Sequence, residues 1–172
     1  ISLLRSGGYS TLENLDSTAA VTYSNVSSVD GLNVKSSNSG QAVTITPTTA
    51  AVAGTSDAVN ITLSNVSAGA HMINGVETFN ISSMDVANTI TVAGSKLATV
   101  NVTGDQNLTL GTLAATVGTL NASGLTSGRV SATAQKTTGY TATGSAGADV
   151  LGGAGGNDTI DGGAGNDVIT GG

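Results

Sequence analysis

Three aspartates keep a fixed beat near the end of the chain: Asp149, Asp158 and Asp167, nine residues apart. Two positions after each stands an aliphatic residue, Leu151, Ile160 and Ile169. The frame G-G-x-G-x-D-x-U-x, with U aliphatic, fits Gly162 to Thr170 in full (GGAGNDVIT). Gly144 to Gly152 (GSAGADVLG) departs from it at Ser145, and Gly153 to Asp161 (GAGGNDTID) at Ala154. Carboxylates set among backbone carbonyls, with no thiolate nearby, make an oxygen-only donor set suited to a hard cation. The nine-residue spacing is the calcium-binding nonapeptide signature. A flexible glycine-rich linker has no reason to hold aspartate and aliphatic residues at such a beat.

The spacing dictates a geometry. In each repeat six residues form a turn, in which glycine supplies positive φ angles, and three form a short strand whose aliphatic residue points inward. Two repeats complete one coil, so turns 18 residues apart stack on the same edge. Parallel strands lie about 4.8 Å apart, and calcium–oxygen distances are about 2.3–2.6 Å. An ion midway between stacked turns therefore meets oxygens of both. Turn 144–149 stacks on turn 162–167, which predicts one complete site between Asp149 and Asp167. Turn 153–158 lies on the opposite edge, with a second, partial site completed by the coil before. Without the ion, carboxylates stacked at about 5 Å repel by roughly 1 kcal/mol even in water. At Ser145 and Ala154 the ligand is a backbone carbonyl, so these departures are expected to weaken the turn more than the chemistry.

The upstream chain must position these turns, and it repeats too. VETFNIS (Val76–Ser82), LATVNVT (Leu97–Thr103) and VGTLNAS (Val117–Ser123) recur, and Tyr140–Thr143 continues the series. Phe79, Val100, Leu120 and Tyr140 are expected to form one inward column, and Ile81, Val102, Ala122 and Ala142 another. Asn80, Asn101 and Asn121 form an outward column, with Thr141 next. Second strands lie at Thr89–Val92, Asn107–Leu110 and Arg129–Ala132, alternating apolar with polar as a half-buried strand does. Earlier, Val29–Ile45 matches Val76–Val92 at an offset of 47, and Val21–Ser27 matches Ile61–Ser67 at an offset of 40. Longer excursions are expected around Thr46–Thr55 and Ala68–Asn74. Pro47 falls in the first, outside any strand because it lacks an N–H. His71 falls in the second.

The fold class predicted is all-β: a right-handed parallel β-solenoid or β-roll, with about 20 residues per coil, passing into 18-residue calcium coils. Residues 1–143 form the solenoid with irregular loops, and residues 144–172 the calcium roll, truncated and continuous with it. Ala142 sits nine residues before Leu151, so the apolar ladder passes between the two without losing register. Gly171–Gly172 open a further repeat, and the sequence reads as a piece of a longer protein.

Composition narrows the function. The 172 residues carry 11 Asp+Glu against 5 Lys+Arg, which removes the basic footprint of nucleic-acid binding. There is no cysteine, hence no disulfide framework or thiolate metal site. Only 9% of residues are charged, unlike an ordinary disordered tail. No apolar run approaches the roughly 20 residues of a membrane-spanning helix. His71 is the only histidine and no HExxH or GxSxG pattern occurs, so no catalysis is expected. Asp57, Glu77, Asp85, Asp105 and Asp161 read as solvated carboxylates, with extra calcium binding the alternative for the first four. Arg5, Lys35, Lys96, Arg129 and Lys136 read as surface charges. Triplets such as Asn25-Val-Ser27, Asn60-Ile-Thr62 and Asn101-Val-Thr103 fit the N-glycosylation pattern, but alternating strands of Asn, Val and Thr produce them by composition alone.

The order of GTSDAVNITLSNVSAGAHMINGVETFNIS, coils such as LATVNVTGDQNLTL, and GGxGxD repeats resembles the calcium-dependent surface-layer (S-layer) proteins of Gram-negative bacteria, in the RTX group exported by type I secretion. The resemblance runs from about Gly54 onward and is firmest at the nonapeptides. It implies export as an unfolded chain, folding in external Ca2+, and assembly with copies of itself into a two-dimensional lattice at the cell surface. A cell-surface polysaccharide, held through another part of the parent protein, is a further expected partner. It also implies calcium ligands within the turns, at Gly144, Ala146, Gly147 and Asp149, at Gly153, Gly155, Gly156 and Asp158, and at Gly162, Gly163, Ala164, Gly165 and Asp167. Two alternatives stay open: a secreted RTX adhesin stalk, and the C-terminal calcium roll of an exported protease or lipase.

Overall fold

The computed structural model describes residues 11–30 and 33–172, so Arg5 lies outside the described residues. Strands start wherever β-branched and aliphatic residues alternate with Asn, Thr and Ser, because such segments fit a pleated surface with one buried face. In β7 (Thr78–Met84), for example, Phe79, Ile81 and Ser83 point inward while Thr78, Asn80 and Ser82 point outward.

Eight such strands stack in parallel in one sheet, in the order β1 (Thr11–Leu15), β3 (Asn33–Ser37), β5 (Ala58–Ser64), β7, β10 (Thr99–Gly104), β12 (Thr119–Leu125), β14 (Thr141–Thr143) and β16 (Thr159–Asp161). Each coil then returns through a second leg. In the upstream coils the second legs form a four-stranded sheet of β2 (Val21–Val26), β4 (Val43–Pro47), β6 (Ala70–Ile73) and β9 (Thr91–Ala93). Downstream they form a five-stranded sheet of β8 (Asn88–Thr89), β11 (Leu108–Thr112), β13 (Val130–Thr133), β15 (Val150–Gly152) and β17 (Val168–Thr170). The changeover falls at Ile90, between β8, which pairs forward with β11, and β9, which pairs back with β6. The result is an all-β parallel solenoid of about eight turns, with about 21 residues per turn.

One apolar line fills it. Val59, Phe79, Val100, Leu120, Ala142 and Ile160 are successive partners along the large sheet, and Leu12, Val34, Ile61, Ile81 and Val102 run beside them. Phe79, Val100 and Leu120 are fully buried, each side chain stabilising by roughly 1.5–3 kcal/mol relative to exposure. On the outer face, asparagines hydrogen-bond from coil to coil: Asn60 Nδ2 donates to Asn33 Oδ1 (3.3 Å), Asn80 Nδ2 to Asn60 Oδ1 (3.2 Å) and Asn101 Nδ2 to Asn80 Oδ1 (2.9 Å).

Several expectations are corrected. Tyr140 does not continue the Phe79 column. Thr141 aligns with Thr119 and donates its N–H to Gly118 O, which puts Ala142 opposite Leu120. The N–H of Tyr140 goes instead to Asp158 Oδ1 (2.9 Å), so Tyr140 stands just ahead of the ladder and fills a coil corner. Correspondingly Thr143, not Thr141, follows Asn121 in the outward column. Asn121 leaves the amide ladder because its Oδ1 accepts from Ser123 N and Ser123 Oγ, at the point where the pairing register between β10 and β12 shifts.

The offset-40 match joins strands of different sheets, since β2 pairs with β4 and β5 with β3 and β7. The shared phrase reflects a shared corner: Asn25 and Asn65 both take positive φ (58° and 55°), followed by buried Val26 and Val66. Asparagine tolerates that conformation better than most side chains. The first excursion is real and holds a short 3-10 helix, Thr49–Val52, whose N-cap Thr48 accepts from Ala51 N through its side chain. The second is not a loop, because Ala70–Ile73 is β6 and carries His71 into the core. Pro47 ends β4 as its last residue, opposite Val26, where a missing N–H is tolerated.

Candidate calcium-binding turns

The nonapeptide strands are three residues long and sit in both sheets: β14 and β16 in one, β15 and β17 in the other. Ala142 pairs with Ile160 and Leu151 with Ile169, both 18 residues on. Upstream, Ala142 pairs with Leu120 and Leu151 with Ala132. The turns are thereby held by the same ladders that build the solenoid.

Turn 144–149 stacks on turn 162–167. Gly144 N donates to Asp161 O (2.7 Å), Ala164 N to Ser145 O (3.2 Å) and Val168 N to Asp149 O (2.8 Å). Gly163 and Gly165 take φ of 85° and 116°. A Cβ on Gly163 would lie 2.3 Å from Ser145 O, and one on Gly165 2.4 Å from Gly147 O. Carbonyls of one turn thus face the bare backbone of the next, leaving a narrow cradle of oxygens that any side chain would fill. Turn 153–158 packs in the same way on the opposite edge. Behind it, a Cβ on Gly156 would lie 2.8 Å from Thr137 O; ahead, one on Gly172 would lie 2.0 Å from Ala154 O.

Each aspartate side chain reaches toward the coil before it. Asp149 Oδ1 accepts from Val130 N (2.7 Å), Asp158 Oδ1 from Tyr140 N (2.9 Å) and Asp167 Oδ1 from Asp149 N (2.9 Å). Asp167 is therefore the carboxylate directed at the space between turns 144–149 and 162–167. Asp149 is 0% exposed and directed at the coil of Gly128. Among the described residues no three His, Cys, Asp or Glu side chains converge on one point, so an ion here needs the backbone carbonyls as well. That is the donor set calcium accepts: several neutral oxygens with one or more carboxylates. The residues fit the ion, and Asp167 with the stacked carbonyls of both turns would hold it.

Ser145 has a different effect from the one expected. Turn 144–149 has no residue at positive φ, so it does not copy the backbone of turn 162–167. The side chain of Ser145 replaces that backbone device. Its Oγ lies 2.7 Å from Asp149 Oδ1 and 2.9 Å from Gly128 O, and it accepts from Gly147 N (3.1 Å).

Asn88 was not singled out by the sequence. Register aligns it with Leu108, Val130, Asp149 and Asp167. Its Oδ1 accepts from Val66 N (2.8 Å), as Asp149 accepts from Val130 N. Its Nδ2 contacts Ser83 Oγ (2.9 Å), Met84 O (3.2 Å) and Val86 O (2.8 Å). In this coil an amide group satisfies turn oxygens from within. A signal existed, since Asn88 lies in the SSMDVAN segment that precedes a second strand, but without the register nothing marked it as a counterpart of the aspartates.

Some of the other acids are engaged locally. Glu77 Oε2 accepts from Asp57 N (2.9 Å), and Glu77 Oε1 lies 3.3 Å from Lys96 Nζ. Lys96 also donates to Val52 O and Gly54 O (both 3.3 Å), fastening the 3-10 excursion to the rod. Glu77 is therefore not the solvated carboxylate expected of it, whereas Lys96 stays at the surface as expected. The Asp85 carboxylate accepts from Ser64 Oγ. Lys35 lies 3.7 Å from Glu13, both half-exposed. Asp161 is exposed, as expected, and accepts from Gly163 N (3.0 Å). His71 is 1% exposed, its Nε2 2.8 Å from Ser36 Oγ, and burial lowers its pKa to about 4.

No curated protein and no solved structure matches the chain. Residues 142–172 match the family model described as RTX calcium-binding nonapeptide repeat (4 copies). Residues 142–172 thus carry RTX-type repeats, which imply Ca2+ binding there.

Proposed function

We propose that the chain is a structural, non-enzymatic segment of a bacterial surface layer, exported by type I secretion, folded by external calcium and tiled with copies of itself at the cell surface. RTX repeats are typical of secreted proteins, which supports the extracellular setting. The observation that carries the reading is the unbroken parallel sheet from β1 to β16. It makes the calcium turns continuous with a long parallel solenoid, which favours a structural role over an appendage to a catalytic domain. The sole histidine is sealed in the core and cannot meet a substrate. The outer face of the large sheet is a row of Thr and Asn, polar and nearly uncharged, which suits repeated lateral contact more than capture of a charged ligand.

Electron microscopy of the purified chain with millimolar calcium tests this. Sheets with a regular repeat that dissolve on chelation are expected. Isolated fibres would favour the adhesin stalk, and a dispersed monomer at every calcium concentration would overturn the lattice. A separate measurement checks the ion. Asp167→Ala should raise the calcium needed for the circular dichroism signal of the ordered state, and an unchanged titration would remove Asp167 from the ligand set.

A further inference from the structure

We infer that Ser145 fixes where calcium control of the rod begins: its hydroxyl occupies the place of a cation between Gly128 and Asp149, so the first ion on this edge lies one coil later, between turns 144–149 and 162–167. The inference rests on reading the RTX turns as calcium-binding.

The space before turn 144–149 has the same makings as the one after it. A buried aspartate projects toward a preceding turn, and a backbone carbonyl, Gly128 O, faces it. What differs is the second position of the motif. In turn 162–167 that position is Gly163, which has no side chain and no room for one. In turn 144–149 it is Ser145, whose Oγ lies within hydrogen-bond distance of both oxygens that an ion would join, Gly128 O and Asp149 Oδ1.

The charge of Asp149 is then met by the protein itself. Oδ1 accepts from Val130 N and Ser145 Oγ, and Oδ2 from Ser145 N (2.6 Å). Three donors on a buried carboxylate satisfy it well. Among the described residues Asp167 receives one N–H, that of Asp149. Nor does the preceding coil offer a second carboxylate, because Val130 stands in register with Asp149. A calcium ion before turn 144–149 would have to break the serine's hydrogen bonds to gain a single acid. A protein group meets turn oxygens in an earlier coil too, at the aspartate position, where the Asn88 amide contacts Met84 O and Val86 O.

Replacing Ser145 by glycine restores the full G-G-x-G-x-D frame and tests this on the whole chain. Equilibrium dialysis with 45Ca should give one more bound ion per chain for Ser145→Gly than for wild type. Amide exchange in turn 144–149 should be about tenfold faster in the variant than in wild type under chelation, and recover with calcium. An equal ion count in the two proteins, with Asp167→Asn one ion lower, would overturn the role of Ser145 while leaving the calcium reading intact. An anomalous peak between Gly128 O and Asp149 in wild-type crystals would overturn it too. A wild-type chain that binds no calcium would overturn both.

Discussion

At the level of single residues, two polar side chains buried in the interior of this rod, His71 and Asn88, make measurable statements. His71 stands in register with Val43 and Val92 and against Ser36, none of which titrates. Burial lowers its pKa from 6.5 to about 4, so the folded chain holds the neutral ring and protonation favours the unfolded chain. This stability is fully present above pH 6.5 and is lost as pH falls toward 4, a decline of about 3 kcal/mol. Urea unfolding between pH 7 and pH 4 checks it: His71→Leu should flatten the histidine part of the slope, and an identical slope in the variant would contradict a buried neutral histidine. Asn88 makes the second statement. Asn88→Asp removes the amide donors facing Met84 O and Val86 O and sets a carboxylate beside them, which should cost about 1–3 kcal/mol in calcium-free buffer. An unchanged urea midpoint would mean that the amide does not close that turn.

At the level of strands and turns, the sequence showed most of what recurs and little of what interrupts. The columns of Phe79, Val100 and Leu120, and of Asn80, Asn101 and Asn121, were legible because side-chain period and coil length both repeat. Asn33 and Asn60 extend the amide column upstream but lie in coils of uneven length, so the repeat did not announce them. Tyr140 was misplaced because its apolar character suits a strand, whereas its N–H is taken by the Asp158 side chain, a bond that no periodicity encodes. His71 was misplaced because Ala70–Ile73 is short and flanked by glycine. The nonapeptide turns were located by spacing alone, but which way each aspartate faces depends on hydrogen bonds across 18 or 19 residues. The Tyr140 hydroxyl is buried without a hydrogen-bond partner, and burial, with the charge of Asp158, raises its pKa. Tyr140→Phe should therefore leave thermal stability unchanged or raise it by about 1 kcal/mol. A marked loss would show that the hydroxyl has a partner in solution.

At the level of the whole molecule, apolar packing and calcium have separate territories. Most of the large buried aliphatic and aromatic side chains stand upstream, whereas the nonapeptide strands β15 and β16 each offer the core a single aliphatic residue, Leu151 and Ile160. A coil with one aliphatic residue per short strand leans on its ion, and binding free energy becomes folding free energy there. Chelation should speed amide exchange across residues 144–172 and leave β7 to β12 protected. Uniform loss along the chain would show that calcium holds the rod as a whole.

The alignment of the strands also decides how the molecule bears load. Every ladder bond between neighbouring coils points along the rod, because the strands themselves run across it. Tension applied end to end meets these bonds one coil at a time, and the rod peels from its weakest terminal winding. Tension applied sideways, along the strands, loads all the bonds between two windings at once. Such a rod resists sliding of one winding over the next far better than peeling from one end.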